Sequence, residues 1–216
     1  MFSDRKEAAK ELAKALEKYK NKKVIVLGIP RGGAETAYYV AKYLEAELSL
    51  LISRKLGHPG EPEFAFGALA EDGSIYLNKN ADSEVSREMI DEETNHQTKE
   101  IQRRIKVLRK GKPLPDINGK TVILVDDGIA TGATVFAAIK MCRRQGAEKI
   151  VVAAPVCSAG KEKEILKEAD EAFILEKPPS FFAVSQAYAS FYNLTDEQAV
   201  AFMEKWEKEK NIAQNQ

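Results

Sequence analysis

The sequence predicts an α/β fold, a doubly wound and mostly parallel sheet with flanking helices and a C-terminal helix. Three observations predict it. Short runs of branched apolar residues alternate with amphipathic stretches along most of the chain. The strongest runs, Val24 to Leu27 and Val122 to Val125, are continuous, as in strands buried on both faces. Each of these two runs ends in a glycine-bearing loop that opens a helix.

The elements follow in order. Ala9, Leu12, Leu16 and Tyr19 recur at helical spacing, so residues 3–20 read as an amphipathic helix. Val24 to Leu27 is a strand, Gly28 to Gly33 breaks it, and Ala34, Ala37, Tyr38, Ala41 and Leu44 mark a helix. Leu48 to Ile52 is the next strand, which completes a right-handed βαβ unit with a parallel pair. Residues 53–63 read as a Gly/Pro loop. Phe64 to Leu69 and Ser74 to Leu77 read as two strands joined across Glu71-Asp72-Gly73. Residues 84–110 read as a polar helix with Ile101, Ile105 and Leu108 on one face. His96 and Arg103-Arg104 are placed on its solvated side.

The second unit runs from a strand at Thr121 to Val125, through a loop at 126–134, into a helix marked by Val135, Ala138, Ile139 and Cys142. Ile150 to Val156 is a strand, 161–170 a short helix and Ala172 to Leu175 a last strand. Thr195 and Gln198 have the spacing of a capping box for a final helix carrying Ala199, Phe202, Met203 and Trp206. From about Lys208 the tail reads as frayed. The chain reads as a single domain over residues 1–216, with its core at 22–176 and a C-terminal hood and helix at 178–208.

Composition narrows the function classes. The 216 residues carry 33 basic and 33 acidic side chains, so no global field would attract nucleic acid or an anionic membrane. An anion, if bound, needs a local site. The two cysteines, Cys142 and Cys157, lie in no close Cys or His spacing, which argues against a disulfide framework and a structural zinc. Cys142 falls on an apolar stripe and reads as core. No apolar run resembles a signal peptide or a membrane span, so the expectation is a cytoplasmic protein.

The chemistry concentrates in three loops at strand ends, where doubly wound sheets bind ligands. In the first, Asp126-Asp127-Gly128-Ile129-Ala130-Thr131-Gly132-Ala133-Thr134 links a buried strand to a helix. Unpaired N–H groups at a helix start attract phosphate, and small residues at 130, 132 and 133 let the backbone approach it. Thr131 and Thr134 add hydroxyl donors. The carboxylates repel a phosphate but suit neighbouring ribose hydroxyls. This stretch resembles the motif by which type I phosphoribosyltransferases bind 5-phosphoribosyl-1-pyrophosphate (PRPP). Val122 to Thr134 fits it throughout except at Gly128, where a branched apolar residue is usual.

The second loop, Ile29-Pro30-Arg31-Gly32-Gly33, exposes backbone N–H groups and an arginine that can fork onto phosphate oxygens. It resembles the family's pyrophosphate loop, which often carries a cis peptide. In the third, Arg54-Lys55 is similar to the Arg-Lys pair of adenine phosphoribosyltransferases, whose lysine meets pyrophosphate. His58 reads as an exposed loop residue, and Glu61 and Glu63 as minor candidates for general acid or base.

The resemblance implies a type I phosphoribosyltransferase fold and a Mg²⁺-dependent pentosyl transfer (a glycosyltransferase of nucleotide metabolism). PRPP gives its phosphoribosyl group to a nitrogen acceptor and releases pyrophosphate. It implies Asp126, Asp127 and Lys55 as catalytic residues and Ala130 to Thr134 as the 5-phosphate cradle. Arg31, Gly32, Gly33 and Arg54 would hold pyrophosphate. Mg²⁺ would be carried by PRPP with no direct protein ligand required, Asp126 being a candidate contact. The expected partners are PRPP and a small-molecule acceptor, with no DNA and no membrane; a homo-oligomer is compatible with the sequence. Ala130 stands where oxopurine enzymes place an aspartate, which disfavours hypoxanthine and guanine by that route; adenine enzymes also carry alanine there, so adenine, a related base or an acceptor that is not a nucleobase stays open. The segment 178–194, with Phe181-Phe182 and Tyr188 to Tyr192, matches no base-recognition pattern and is either a hood over the acceptor or packing. Two other classes stay open: a PRPP-sensing regulator or RNA-binding protein on the same fold, and a noncatalytic scaffold with a relic site.

Overall fold

A computed structural model of the chain describes residues 1–58, 61–79, 81, 85–181 and 183–214. The order is α1 (Arg5–Ala15), a 3₁₀ turn (Glu17–Tyr19), β1 (Val24–Gly28), α2 (Gly32–Leu44), β2 (Glu47–Leu50), β3 (Ser53–His58), β4 (Glu61–Ala70) and β5 (Ile75–Leu77). Then come α3 (Arg87–Leu108), β6 (Thr121–Val125), α4 (Ala133–Arg144), β7 (Lys149–Val156), α5 (Lys161–Ile165), β8 (Glu171–Glu176), a 3₁₀ turn (Val184–Ala187) and α6 (Asp196–Gln214).

A five-stranded sheet in the order β2-β1-β6-β7-β8 is parallel throughout. Successive side chains of a strand point to opposite faces. Val24, Val26, Ile123, Val125, Val151 and Ala153 therefore face one way, and α1, α2 and α6 cover them. Ile25, Leu27, Val122, Leu124, Ile150 and Val152 face the other way, and α4 covers them. This is the doubly wound α/β architecture that the alternating runs predict. Strand order reverses between β1 and β6, and the two loops singled out by sequence leave the carboxyl ends of those neighbouring strands.

Four expectations need correction. Residues 53–63 are not a loop: β3 and β4 pair antiparallel, and β5 adds to β4 as a three-stranded sheet. The glycine read as a loop signal, Gly57, sits at register shifts in the ladder, where a strand tolerates it. The polar helix is not solvated on the side that bears Arg104: Gln97, Ile101, Arg104 and Leu108 form one buried stripe against the hairpin. The helix expected over 161–170 ends at Ile165. The tail beyond Lys208 does not fray at once, because Tyr38 and Lys42 of α2 both hydrogen-bond Glu209, each at 2.9 Å, and α6 runs to Gln214.

The helix starts have local causes. Asp4 accepts from the Glu7 N–H (2.8 Å) to cap α1. Thr195 and Gln198 form the expected reciprocal box, at 2.9 and 3.2 Å. Cys142 and Cys157 are both fully buried, and burial pushes their thiols up to about 12 and about 11. The side chains of Glu61 and Glu63, and Pro59, Gly60 and Phe182, lie outside the described residues.

Candidate active site

Two loops meet where the strand order reverses. β1 and β6 pair in register Gly28↔Val125, and the Ile29 N–H donates to the Val125 carbonyl at 2.8 Å, so both chains leave the sheet side by side. The first turns through Pro30 and Arg31, joined by a cis peptide, into α2. The second passes Asp126 to Gly132, whose φ of 79° caps α4. The contact between them is close. A Cβ on Gly32 would lie 1.8 Å from Asp127 Oδ2, so no side chain fits there.

The two acids have different surroundings. Asp126 accepts from the Asp127 N–H at 2.9 Å. Burial, and then the charge of Asp127, push its carboxyl well above the ordinary aspartate range. Asp127 is 8% exposed and paired: Oδ2 accepts from Arg5 Nε at 2.7 Å. Arg5 is itself 4% exposed, lies 4.2 Å from the Phe191 ring centroid and donates to the Tyr192 carbonyl at 2.8 Å. The Tyr188 hydroxyl donates to the Asp127 carbonyl. Sequence reasoning missed Arg5. It lies 122 residues from Asp127, and nothing local distinguishes it from other charged residues of an amphipathic helix.

The small-residue turn lies at the start of α4. The Ser158 hydroxyl donates to the Ala130 carbonyl at 2.9 Å, and Ile129 bridges to Cys157, so the turn is braced from β7. Thr131 is exposed and Thr134 half-buried. The first N–H groups of a helix lack intrahelical partners and face an incoming anion. Lys161, a second residue missed by sequence, reaches this turn: its Cδ would lie 3.4 Å from a Cβ on Gly132. The departure at Gly128 also has a physical account. A Cβ there would lie 2.6 Å from Val184 Cγ1, so the usual branched side chain is absent and Val184 fills its place.

Arg31, Arg54, Lys55, His96, Arg104 and Thr134 line one cleft of about 800 Å³. An adjoining cavity of about 590 Å³ is lined by Arg5, Asp127, Ala130, Val184 and Phe191, and the two meet at Arg31, Lys55 and Asn193. Lys55 is exposed, and Arg31 lies 3.9 Å from Asp196. Arg54 donates to Gln97 Oε1 at 3.0 Å; burial and the nearby Arg104 guanidinium push its pKa down. Of the residues singled out by sequence, Arg31, Gly32, Arg54, Lys55, Asp127, Ala130 and Thr134 line these two cavities, whereas Asp126, Gly33, Thr131, Gly132 and Ala133 line neither. His58 is half-buried rather than exposed, and it and His96 lie at the edge of the same cleft. A groove of about 480 Å³ near Glu47, Arg109 and Trp206 lies at the amino end of β2, away from the loops.

Comparison with known proteins decides what this arrangement belongs to. The family model described as "Phosphoribosyl transferase domain" matches residues 3–190. The chain belongs to the phosphoribosyl transferase family. It is 41% identical over 207 residues to "Putative phosphoribosyl transferase Rv0571c" of Mycobacterium tuberculosis, covering 95% of this chain and 47% of the relative. It therefore spans about half the length of that relative. It is 36% identical to the crystal structure of TT1426 from Thermus thermophilus, with a TM-score of 0.80, covering 95% of this chain and 98% of that one. A shorter stretch of 83 residues is 36% identical to the ribose-phosphate pyrophosphokinase of Thermoplasma volcanium, covering 38% of this chain and 29% of the relative. The phosphoribosyl transferase match starts at residue 3, so it includes the helix that supplies Arg5. Among the described residues, no helix is long and apolar enough to cross a membrane.

Proposed function

We propose that this chain transfers the 5-phosphoribosyl group of PRPP to a nitrogen acceptor and releases pyrophosphate. One observation carries the reading: an acid pair, a small-residue turn at a helix start and an Arg-Gly-Gly turn adjoin at the switch between β1 and β6. In this reading residues 130–134 hold the 5-phosphate, Asp126 meets the ribose hydroxyls, and Arg31 to Gly33 with Lys55 receive pyrophosphate. Asp127 shares the ribose role only through the oxygen that Arg5 leaves open.

Breaking the bond from C1 to pyrophosphate leaves a cationic, oxocarbenium-like ribose, as in glycosidic chemistry generally. The acceptor nitrogen is the nucleophile, so the protein need not supply one. Its residues must align the reactants, offset charge on the leaving group and exclude water. The donor set suits Mg²⁺ carried by PRPP. Such an ion keeps one or two protein carboxylates beside substrate phosphates, and Asp126, which joins none of the described salt bridges, would be the carboxylate to meet it once ionised. When bound, Mg²⁺ supplies Lewis-acid support to the departing pyrophosphate. A cytoplasmic place in nucleotide metabolism fits the reading.

The test is calorimetric titration with PRPP and Mg²⁺. Thr131→Val removes an exposed donor from the cradle. It should weaken binding by about tenfold or more with unchanged melting, the scale of a hydrogen bond to a charged group. Unaltered binding would overturn the assignment. Asp127→Asn should also bind PRPP poorly, but it strips Arg5 of its counter-charge and must be read beside a melting curve.

A second reading, a PRPP sensor without turnover, is favoured by one observation: Asp127 is already held by a buried arginine. Pyrophosphate release on incubation with PRPP, Mg²⁺ and a panel of bases and amines separates the two. Binding without release favours the sensor.

A further inference from the structure

The segment between β8 and α6 touches both site loops, and one of its contacts is incomplete. On the side of the acid pair the contacts are made: the Tyr188 hydroxyl donates to the Asp127 carbonyl, and the Tyr192 carbonyl accepts from Arg5 at 2.8 Å. On the other side Asp196, the first residue of α6, faces Arg31. Asp196 Oδ1 lies 3.9 Å from Arg31 Nη1, within ion-pair range but beyond a hydrogen bond.

The carboxylate is fixed through its other oxygen. Oδ2 accepts from Arg103 Nη2 of α3 at 2.8 Å, and Arg103 is itself held by Glu100 at 2.8 and 2.9 Å. The Asp196 side chain is 13% exposed, and Oδ1 is buried and accepts no hydrogen bond. A buried carboxylate oxygen without a donor is destabilising. Two plain roles for Asp196 leave it unexplained. An acid favours the first turn of a helix through its charge alone, and tying α6 to α3 needs only Oδ2.

Arg31 is the group that can complete it. Its side chain is 41% exposed and lines both cavities. Among the described residues, Asp196 is the one acid paired with it. A guanidinium carries five N–H donors in a rigid fork, so one edge can meet a carboxylate while another meets phosphate oxygens. A long side chain left free in solvent would have to be ordered when the ligand binds, which weakens binding.

We propose that Asp196 is a positioning residue for Arg31: one edge of the guanidinium closes on Oδ1 as another forks onto the pyrophosphate group of PRPP. The inference rests on the transferase reading, which gives Arg31 to pyrophosphate. Asp196 touches no ligand itself. It restricts Arg31 before PRPP arrives, and the closed contact gives Oδ1 its missing donor.

The test is a double-mutant cycle read by calorimetric titration with PRPP and Mg²⁺, using Asp196→Asn, Arg31→Gln and the two together. Asp196→Asn should weaken PRPP about fivefold or more, and should have no further effect once Arg31 is replaced. The same proteins are titrated with ribose 5-phosphate, which has no pyrophosphate group, and there Asp196→Asn should change nothing. Asp196→Ala, a good helix former without the carboxylate, is the second variant and should behave alike. Melting curves accompany each protein. A role confined to joining α6 to α3 would lower the melting temperature and weaken both ligands equally, with or without Arg31, and that result would overturn the proposal. So would unchanged PRPP affinity in both Asp196 variants. If wild type binds PRPP and Arg31→Gln weakens it while the Asp196 variants do not, the proposal falls and the transferase reading stands. If wild type binds no PRPP, both fall.

Discussion

Glu35 shows how one buried side chain can work against the fold around it. It is 6% exposed, on the first turn of α2, and accepts from the Tyr192 hydroxyl at 3.4 Å. Burial pushes its carboxyl up, and the Arg5 guanidinium only partly offsets this. A carboxyl raised in the folded state favours folding as pH falls and opposes it when ionised. Glu35→Gln should therefore raise the urea midpoint at pH 7, and the gain should vanish below the ordinary value of 4.5. A loss of stability at pH 7 would mean that the charge is needed to hold Arg5. Gly32 belongs to the same scale. Its glycine identity reads in sequence as a way to expose N–H groups to phosphate, yet the contact that forbids a side chain is Asp127.

At the scale of elements, the segment after β8 packs down on the loop at 126–134. Phe2 and Ala187 pair through the backbone, the tilted rings of Tyr188 and Phe191 pack near Phe2 and Arg5, and Val184 covers Gly128. The aromatics of 178–194 were open to two readings, hood or packing. In the structure Phe181, Tyr188 and Phe191 pack together, and Phe191 also walls the smaller cavity. Gly128→Val should restore the family's usual residue yet destabilise this chain, because its side chain meets Val184. The cost should be about 1–3 kcal/mol, the range for overpacking. Adding Val184→Ala should recover much of it, and a double-mutant cycle by denaturant unfolding measures the coupling. Additive losses would show that the two positions do not compete for space. The β3–β4 hairpin was illegible for a related reason. Gly57 signals a break locally, and only pairing with β4 makes the segment a strand.

For the molecule as a whole, acid stability rests on carboxylates held by several donors, Glu100 within α3 and Glu171 between β8, β7 and the turn after α1. Hydrogen bonds from Arg103, and then Arg104, hold Glu100 down to about 2. Burial opposes ionisation of Glu171, but Lys149, Lys18 and Tyr19 outweigh it and hold it at about 2 as well. Both values lie below the ordinary 4.5, so their stabilisation is complete above that pH and is lost as pH falls toward about 2. Asp126 and Glu35 are shifted the other way and partly compensate. Melting curves from pH 7 to pH 2 should fall most steeply within that window. Glu100→Gln should flatten the fall, and an unchanged slope would remove Glu100 from this role.

The sequence by itself determined the strand and helix alternation, the pairing of β1 with β2, and the two loops that carry the candidate chemistry. Each of these is written in local periodicity and in residues a few positions apart. Tertiary structure alone decided that Arg5 takes Asp127, that Val184 explains Gly128, and that Arg104 turns inward beside Arg54. These contacts join residues up to 122 positions apart, and a charged side chain on a helix looks the same locally whether it meets water or a buried partner.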